Sequence, residues 1–165
     1  IKESSVIMKI YIIGCGRILQ KHLDSIKILN KKLKIVGISD LKKNRLKIAA
    51  KKLNTKMFIN YKEGIKKTNP EIVSILTPSG DHAKNVIDVL KLKKHVIVEK
   101  PMCLKVSDGL KIVKLANKNK KRVFVVMQNK FNLPVKKLRQ DISKSKFGRL
   151  FHASVIVRWK RDQNY

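Results

Sequence analysis

Six short runs of aliphatic and β-branched residues recur along this chain, separated by longer segments of helical period, and that alternation leaves few folds open. The runs are Lys9 to Ile13, Leu33 to Ser39, Lys56 to Ile59, Ile72 to Leu76, His95 to Val98 and Arg122 to Met127. None alternates cleanly between apolar and polar residues, as expected of strands covered on both faces. Arg17 to Leu29, Lys42 to Leu53, Tyr61 to Lys67, Asp81 to Leu92 and Val106 to Asn119 place apolar residues three or four apart, with lysine on the opposite face. The pattern predicts βαβ units and a doubly wound parallel sheet of the α/β class.

The pattern then changes. Pro134 and Val135 open another helical stretch, with proline near its first turn, and this stretch ends at Phe147-Gly148. From Arg149 to Trp159, Phe151, Ala153, Val155, Val157 and Trp159 alternate with His152, Ser154, Ile156 and Arg158, which reads as an amphipathic strand. One such strand needs neighbours to be stable. It is therefore expected to be the first strand of a truncated C-terminal α/β domain whose remainder lies beyond Tyr165. A chain of 165 residues can bury one ordinary core but not two. The expected division is residues 1–7 as a leader, because Met8 opens directly into a strand, 8–130 as the sheet domain, and 131–165 as the start of the second domain.

The formal charge of +29 invites a nucleic-acid reading, but only seven of the 40 basic residues are arginine and the lysines are spread over every predicted helix. Base-reading surfaces favour the planar fork of arginine. A solvated basic surface, compatible with anionic small molecules and requiring no nucleic acid, fits better. No apolar run approaches the ~18 residues of a membrane span, and the start lacks the order of a signal peptide. The expectation is a cytoplasmic protein with two reduced thiols, Cys15 and Cys103, and no metal site.

Chemistry concentrates where strands end. The first strand runs into Gly14-Cys15-Gly16-Arg17-Ile18-Leu19 and then a helix. Gly14 permits a tight turn, and Gly16 lets backbone N–H groups approach a pyrophosphate at the helix N-terminus. The third position of such a motif is Leu19 rather than glycine, so that side chain must point elsewhere or push the helix outward. Asp40 ends the second strand about twenty residues beyond the turn, where a carboxylate can accept ribose hydroxyls and would disfavour a 2′-phosphate. It can equally cap the next helix. After the fourth strand come Thr77-Pro78-Ser79-Gly80-Asp81-His82, with His82 open to a ligand role or to a surface position. The fifth strand ends in Glu99-Lys100-Pro101, where a lysine amine can take the proton of a substrate hydroxyl.

Together these four motifs, in this order and spacing, resemble the Gfo/Idh/MocA oxidoreductase family over Met8 to Tyr165. The resemblance implies a Rossmann domain followed by a C-terminal domain that completes the sugar site and mediates homo-oligomerisation when present in full. It implies that Gly14, Gly16, Arg17, Ile18, Asp40, Thr77, Pro78, His82, Glu99, Lys100 and Gln128 bind the cofactor, NAD rather than NADP. Lys100 would be catalytic, with Asn129 and Lys130 joining it at the substrate, and the Lys100-Pro101 bond would be cis. The stretch Val126 to Val135, with Val157 to Arg161 and Gln163 to Tyr165, resembles the branch that oxidises the C3 hydroxyl of UDP-linked N-acetylglucosaminuronic acid. Members of that branch carry arginine where Lys130 stands. The family's downstream catalytic histidine would lie past Tyr165. Two functions follow: an NAD-dependent sugar dehydrogenase acting on a nucleotide sugar, or a non-catalytic dinucleotide-binding module.

Overall fold

In the computed structural model, which describes residues 7–29, 32–160 and 162, all six apolar runs become parallel strands of one sheet. They are β1 (Met8–Ile13), β2 (Leu33–Ser39), β3 (Met57–Phe58), β4 (Ile72–Ile75), β5 (His95–Val98) and β6 (Val123–Val125), in the order β3-β2-β1-β4-β5-β6. From β1 the chain winds outward through α1 (Leu19–Ile28), β2 and α2 (Lys43–Leu53) to β3. It then crosses back through α3 (Tyr61–Thr68) to β4 and winds the other way through α4 (Ser79–Lys91) and α5 (Val106–Lys118).

Right-handed crossovers in opposite directions put their helices on opposite faces of the sheet. Ile12 and Ile38 accordingly meet Leu19 and Leu23 of α1 and Leu46 and Ala49 of α2. Tyr11, Ile13, Val73 and Ile75 meet Ile65 of α3, Val86 and Val89 of α4 and Ile112 of α5 on the other side. Both faces of β1 are thus covered, and Ile10 to Ile13 are at most 3% exposed.

Tyr11 is fully buried in a slot made by two glycines. A Cβ on Gly37 of β2 would lie 2.8 Å from its ring, and one on Gly64 of α3 would lie 2.1 Å from its hydroxyl oxygen. The slot lets α3 approach the sheet, and it leaves the Tyr11 hydroxyl buried with no hydrogen-bond partner among the described residues.

The chain divides into two units, Ile1–Met127 and Gln128–Tyr165, three residues before the expected boundary. Residues 1–6 of the expected leader lie outside the described residues, and Ile7 is exposed. In the second unit a 3-10 turn at Gln128–Phe131 leads into α6 (Leu133–Ser143), which stops short of the expected Phe147-Gly148 because Ser145 turns left-handed at φ 53°. The expected strand from Arg149 to Trp159 is corrected: the segment has no regular secondary structure, with Phe151, Val155 and Trp159 exposed. Its hydrophobic pattern suits a strand, but among the described residues no strand pairs with it.

Gly64→Ala should destabilise the fold by about 1–3 kcal/mol through overpacking against Tyr11, and Tyr11→Phe in the same chain should recover part of the loss. Urea unfolding followed by circular dichroism measures both, and an unchanged Gly64→Ala midpoint would show that the slot is not tight.

Candidate functional site

The sheet reverses its winding between β1 and β4, so the turns that leave their carboxyl ends diverge and open a crevice. Gly14 sits at this point with φ +100°, and a Cβ there would lie 2.7 Å from the Leu76 carbonyl oxygen. Only glycine meets both demands. The Gly14 N–H donates to the Ser39 carbonyl at 2.7 Å, tying the turn to β2. Two residues on, a Cβ on Gly16 would meet nothing within 4 Å, so the turn is open on its outer side. Arg17 is exposed, and Ile18, 36% exposed, precedes α1 with no side-chain cap and no acid in the helix's first turn. Leu19 points away from the crevice into the core beside Ile12 and Leu76, which resolves how the turn accommodates a large third residue.

Asp40 follows β2 at the same edge. Its Oδ2 accepts the Cys15 N–H and its Oδ1 accepts the Lys42 N–H, each at 2.7 Å. The carboxylate therefore braces the glycine turn and the entrance to α2 together, while each oxygen keeps a lone pair for a further donor. Cys15 lies beneath it, 9% exposed, with its thiol pushed up from 9.0 to about 12 by burial and then by the Asp40 charge. It stays protonated at neutral pH and is no nucleophile.

Across the crevice, Pro78 is the N-cap of α4, and the Thr77 hydroxyl accepts the buried Asn85 side-chain amide at 2.9 Å. His82 takes neither of the positions left open by the sequence. It is 1% exposed, and its Nδ1 and Nε2 lie 2.6 and 2.7 Å from the carbonyl oxygens of Pro101 and Thr77. Glu99 leaves β5 with its carboxylate 2.7 Å from His22 Nε2. Lys100 is exposed, among the described residues its amine has no hydrogen-bond or ion-pair partner, and the Lys100-Pro101 peptide is cis.

The structure thus brings Gly14, Gly16, Arg17, Ile18, Asp40, Thr77, Pro78, His82, Glu99 and Lys100 to one edge of the first unit. Gln128, Asn129 and Lys130 belong to the second unit, where they are exposed in the 3-10 turn. Sequence reasoning missed His22. Its signal is position: it lies between Leu19 and Leu23 on the buried side of α1, where a polar side chain needs a partner. Among the described residues no group of His, Cys, Asp and Glu could hold a metal ion, and no helix is long and apolar enough to cross a membrane.

An open glycine turn at a helix start, an acid at the end of the next strand and a switch-point crevice define a dinucleotide-binding domain of the Rossmann type. Residues 8–127 match the model of the Gfo/Idh/MocA oxidoreductase family, NAD-binding Rossmann fold, and the chain belongs to this family. It is similar to the myo-inositol 2-dehydrogenase of Thermotoga maritima, at 29% identity over 86% of this chain and 42% of that protein. It is also similar to the WlbA dehydrogenases of Bordetella pertussis and Chromobacterium violaceum, each crystallised with NADH and UDP-GlcNAcA. Their TM-scores are 0.84 and 0.85 and their identities 29% and 30%, over 87% and 88% of this chain and 44% and 42% of theirs. The chain spans less than half the length of these relatives.

The raised Cys15 thiol predicts selective alkylation. At pH 8 iodoacetamide should modify the partly exposed Cys103 and spare Cys15, as read by peptide mass spectrometry. Because only the thiol form suits the fold, this site's contribution to stability is complete below about pH 9 and is lost as pH rises toward 12. Equal labelling of the two cysteines at pH 8 would mean that the turn opens.

Proposed function

We propose that this chain is the cofactor-binding part of an NAD-dependent dehydrogenase that oxidises a secondary hydroxyl of a sugar or polyol. The observation that carries the reading is the exposed, unpartnered amine of Lys100 on the same sheet edge as the Gly14 turn and Asp40. The residues fit the dinucleotide. The open side of Gly16 and the uncapped start of α1 suit a pyrophosphate, and the Asp40 carboxylate suits ribose hydroxyls, which favours NAD over the 2′-phosphorylated form. NAD, when bound, supplies the hydride acceptor.

Lys100, as the neutral amine, accepts the substrate hydroxyl proton while the hydride leaves the carbinol carbon, so that a ketone forms as the C–H and O–H bonds break. Glu99, Thr77 and Pro78 form the wall of the cofactor site next to it, with the buried His82 bracing the Thr77 carbonyl from behind. In its narrower form the substrate is a UDP-linked N-acetylated hexuronic acid oxidised at C3. The nucleotide-sugar complexes of the two WlbA relatives support this, and a basic surface favours such an anion. The similarity to an inositol dehydrogenase keeps a free polyol as the competing substrate. The proposed setting is the cytoplasm.

Calorimetric titration with NAD and NADH tests the cofactor site. Gly16→Ala should leave the thermal midpoint unchanged, since no protein atom stands near the new methyl group, yet weaken binding by about ten-fold or more. Undiminished binding would remove the turn from the phosphate site.

With a UDP-linked hexuronic acid or inositol as substrate, Lys100→Ala should lower turnover by roughly 10²- to 10⁴-fold and leave NAD affinity nearly unchanged. Unchanged turnover would take Lys100 out of the chemistry, and NAD binding by the wild-type protein without turnover on either substrate would favour a non-catalytic module.

A further inference from the structure

The residues on either side of Lys100 are each bonded to a histidine from outside its own loop. On one side His22, in the first turn of α1, places Nε2 2.7 Å from Glu99 Oε1, with its side chain 16% and that of Glu99 12% exposed. The other nitrogen of His22 lies 3.4 Å from the Ser74 hydroxyl in β4. On the other side His82, in the first turn of α4, reaches the carbonyl oxygen of Pro101 with Nδ1 and that of Thr77 with Nε2. Residues 99 and 101 are thus each bonded to a helix on the opposite side of the sheet from the other: α1 packs on one face and α4 on the other.

Volume alone does not account for these side chains. Their helical neighbours Leu19, Leu23 and Val86 fill the same layers with apolar groups, and a histidine buried without partners is costly. Both histidines find their short contacts at the residues before and after Lys100. The Ser74, His22 and Glu99 series has the order of a nucleophile relay, but Ser74 is 1% exposed and inaccessible to a substrate, so the series ends in a structural hydroxyl. The carbonyls of Pro101 and Thr77 can only accept, so an imidazolium at position 82 donates to both and a neutral ring to one. In either form the ring links the turn after β4 to the turn after β5, and Asn85 holds the first of these from the same helix.

We propose that His22 and His82 are positioning residues for Lys100, the first fixing the Glu99 carboxylate and the second the Pro101 carbonyl, so that the amine between them is confined to the crevice edge. The proposal rests on the reading of Lys100 as the proton-accepting amine. It explains how an exposed lysine with no partner of its own can be oriented: the restraint acts on the backbone and side chain on either side, and leaves the amine free to bond a substrate.

The test is limited acylation of the whole chain with an amine-reactive ester. Peptide mass spectrometry gives the labelling rate of Lys100 relative to other lysines, with Lys43 and Lys105 as internal references. His22→Leu and His82→Leu should each change the relative rate of Lys100 by about twofold or more, because the residues on either side of it are released, with the reference lysines unchanged. His22→Gln, which keeps an N–H donor near Nε2, should return the rate toward wild type, a rescue that simple core filling would not give. In the active enzyme the Leu variants should lower kcat with little change in KM for NAD.

A wild-type Lys100 rate in the folded variants overturns the proposal. If His82→Leu does not fold, the partly exposed His22 decides the matter alone. NAD titration of the same samples separates the two readings. A changed Lys100 rate in a chain that does not bind NAD retires the dehydrogenase while keeping the clamp, and NAD binding with an unchanged rate retires the clamp alone.

Discussion

The contact between Gly14 and the Leu76 carbonyl is the constraint from which the candidate site follows. A side chain at position 14 would stand 2.7 Å from that oxygen and push β1 from β4 at the point where the sheet changes its direction of winding. With the contact made, a line of backbone bonds continues across the edge. The Gly14 N–H reaches Ser39, that of Leu76 reaches Ile13, that of Glu99 reaches Ile75, and that of Val126 reaches Val98. The turns after five strands therefore leave the sheet level with one another. Such a level row leaves one continuous edge along which a dinucleotide can lie.

Charge is organised differently at this edge and on the surface. Lysines pair with acids at scattered exposed positions, as Lys67 does with Glu63 and Lys111 with Asp108, and such pairs contribute little. Asp40 and Glu99, the two acids of the site, instead take their partners from fixed donors. Two backbone N–H groups hold Asp40 and one imidazole holds Glu99. In a chain with 40 basic residues, bonds of defined direction thus shape the site and the lysine surface supplies a diffuse positive field.

The sheet was legible because both-face burial leaves an unbroken apolar run for each central strand. The ends were less so: β3 and β6 shrink to Met57–Phe58 and Val123–Val125, since an edge strand pairs on one side only. Gly14 and Asp40 could be read from spacing, but the double use of Asp40 could not, because Cys15 is 25 residues away in sequence. The buried placement of His82 depends on a carbonyl 19 residues later, and the His22 to Glu99 bond spans 77 residues, so neither has a local signature. Arg149 to Trp159 shows the converse, a local signature that no strand among the described residues pairs with. Its alternation describes what the segment could pair with and says nothing of whether a partner is there.

The brevity of the two outer strands has a consequence for the behaviour of the chain in concentrated solution. An unpaired row of N–H and C=O groups is a template for another sheet, and rows of two and three residues, at β3 and β6, are too short to nucleate one. The stretch most able to associate lies instead outside the sheet, where Val155, Ile156 and Val157 stand exposed in a β-branched run. Arg158 and Lys160 flank that run on one side and act as gatekeepers, so its self-association is restrained by like-charge repulsion and strengthens as added salt screens those cations.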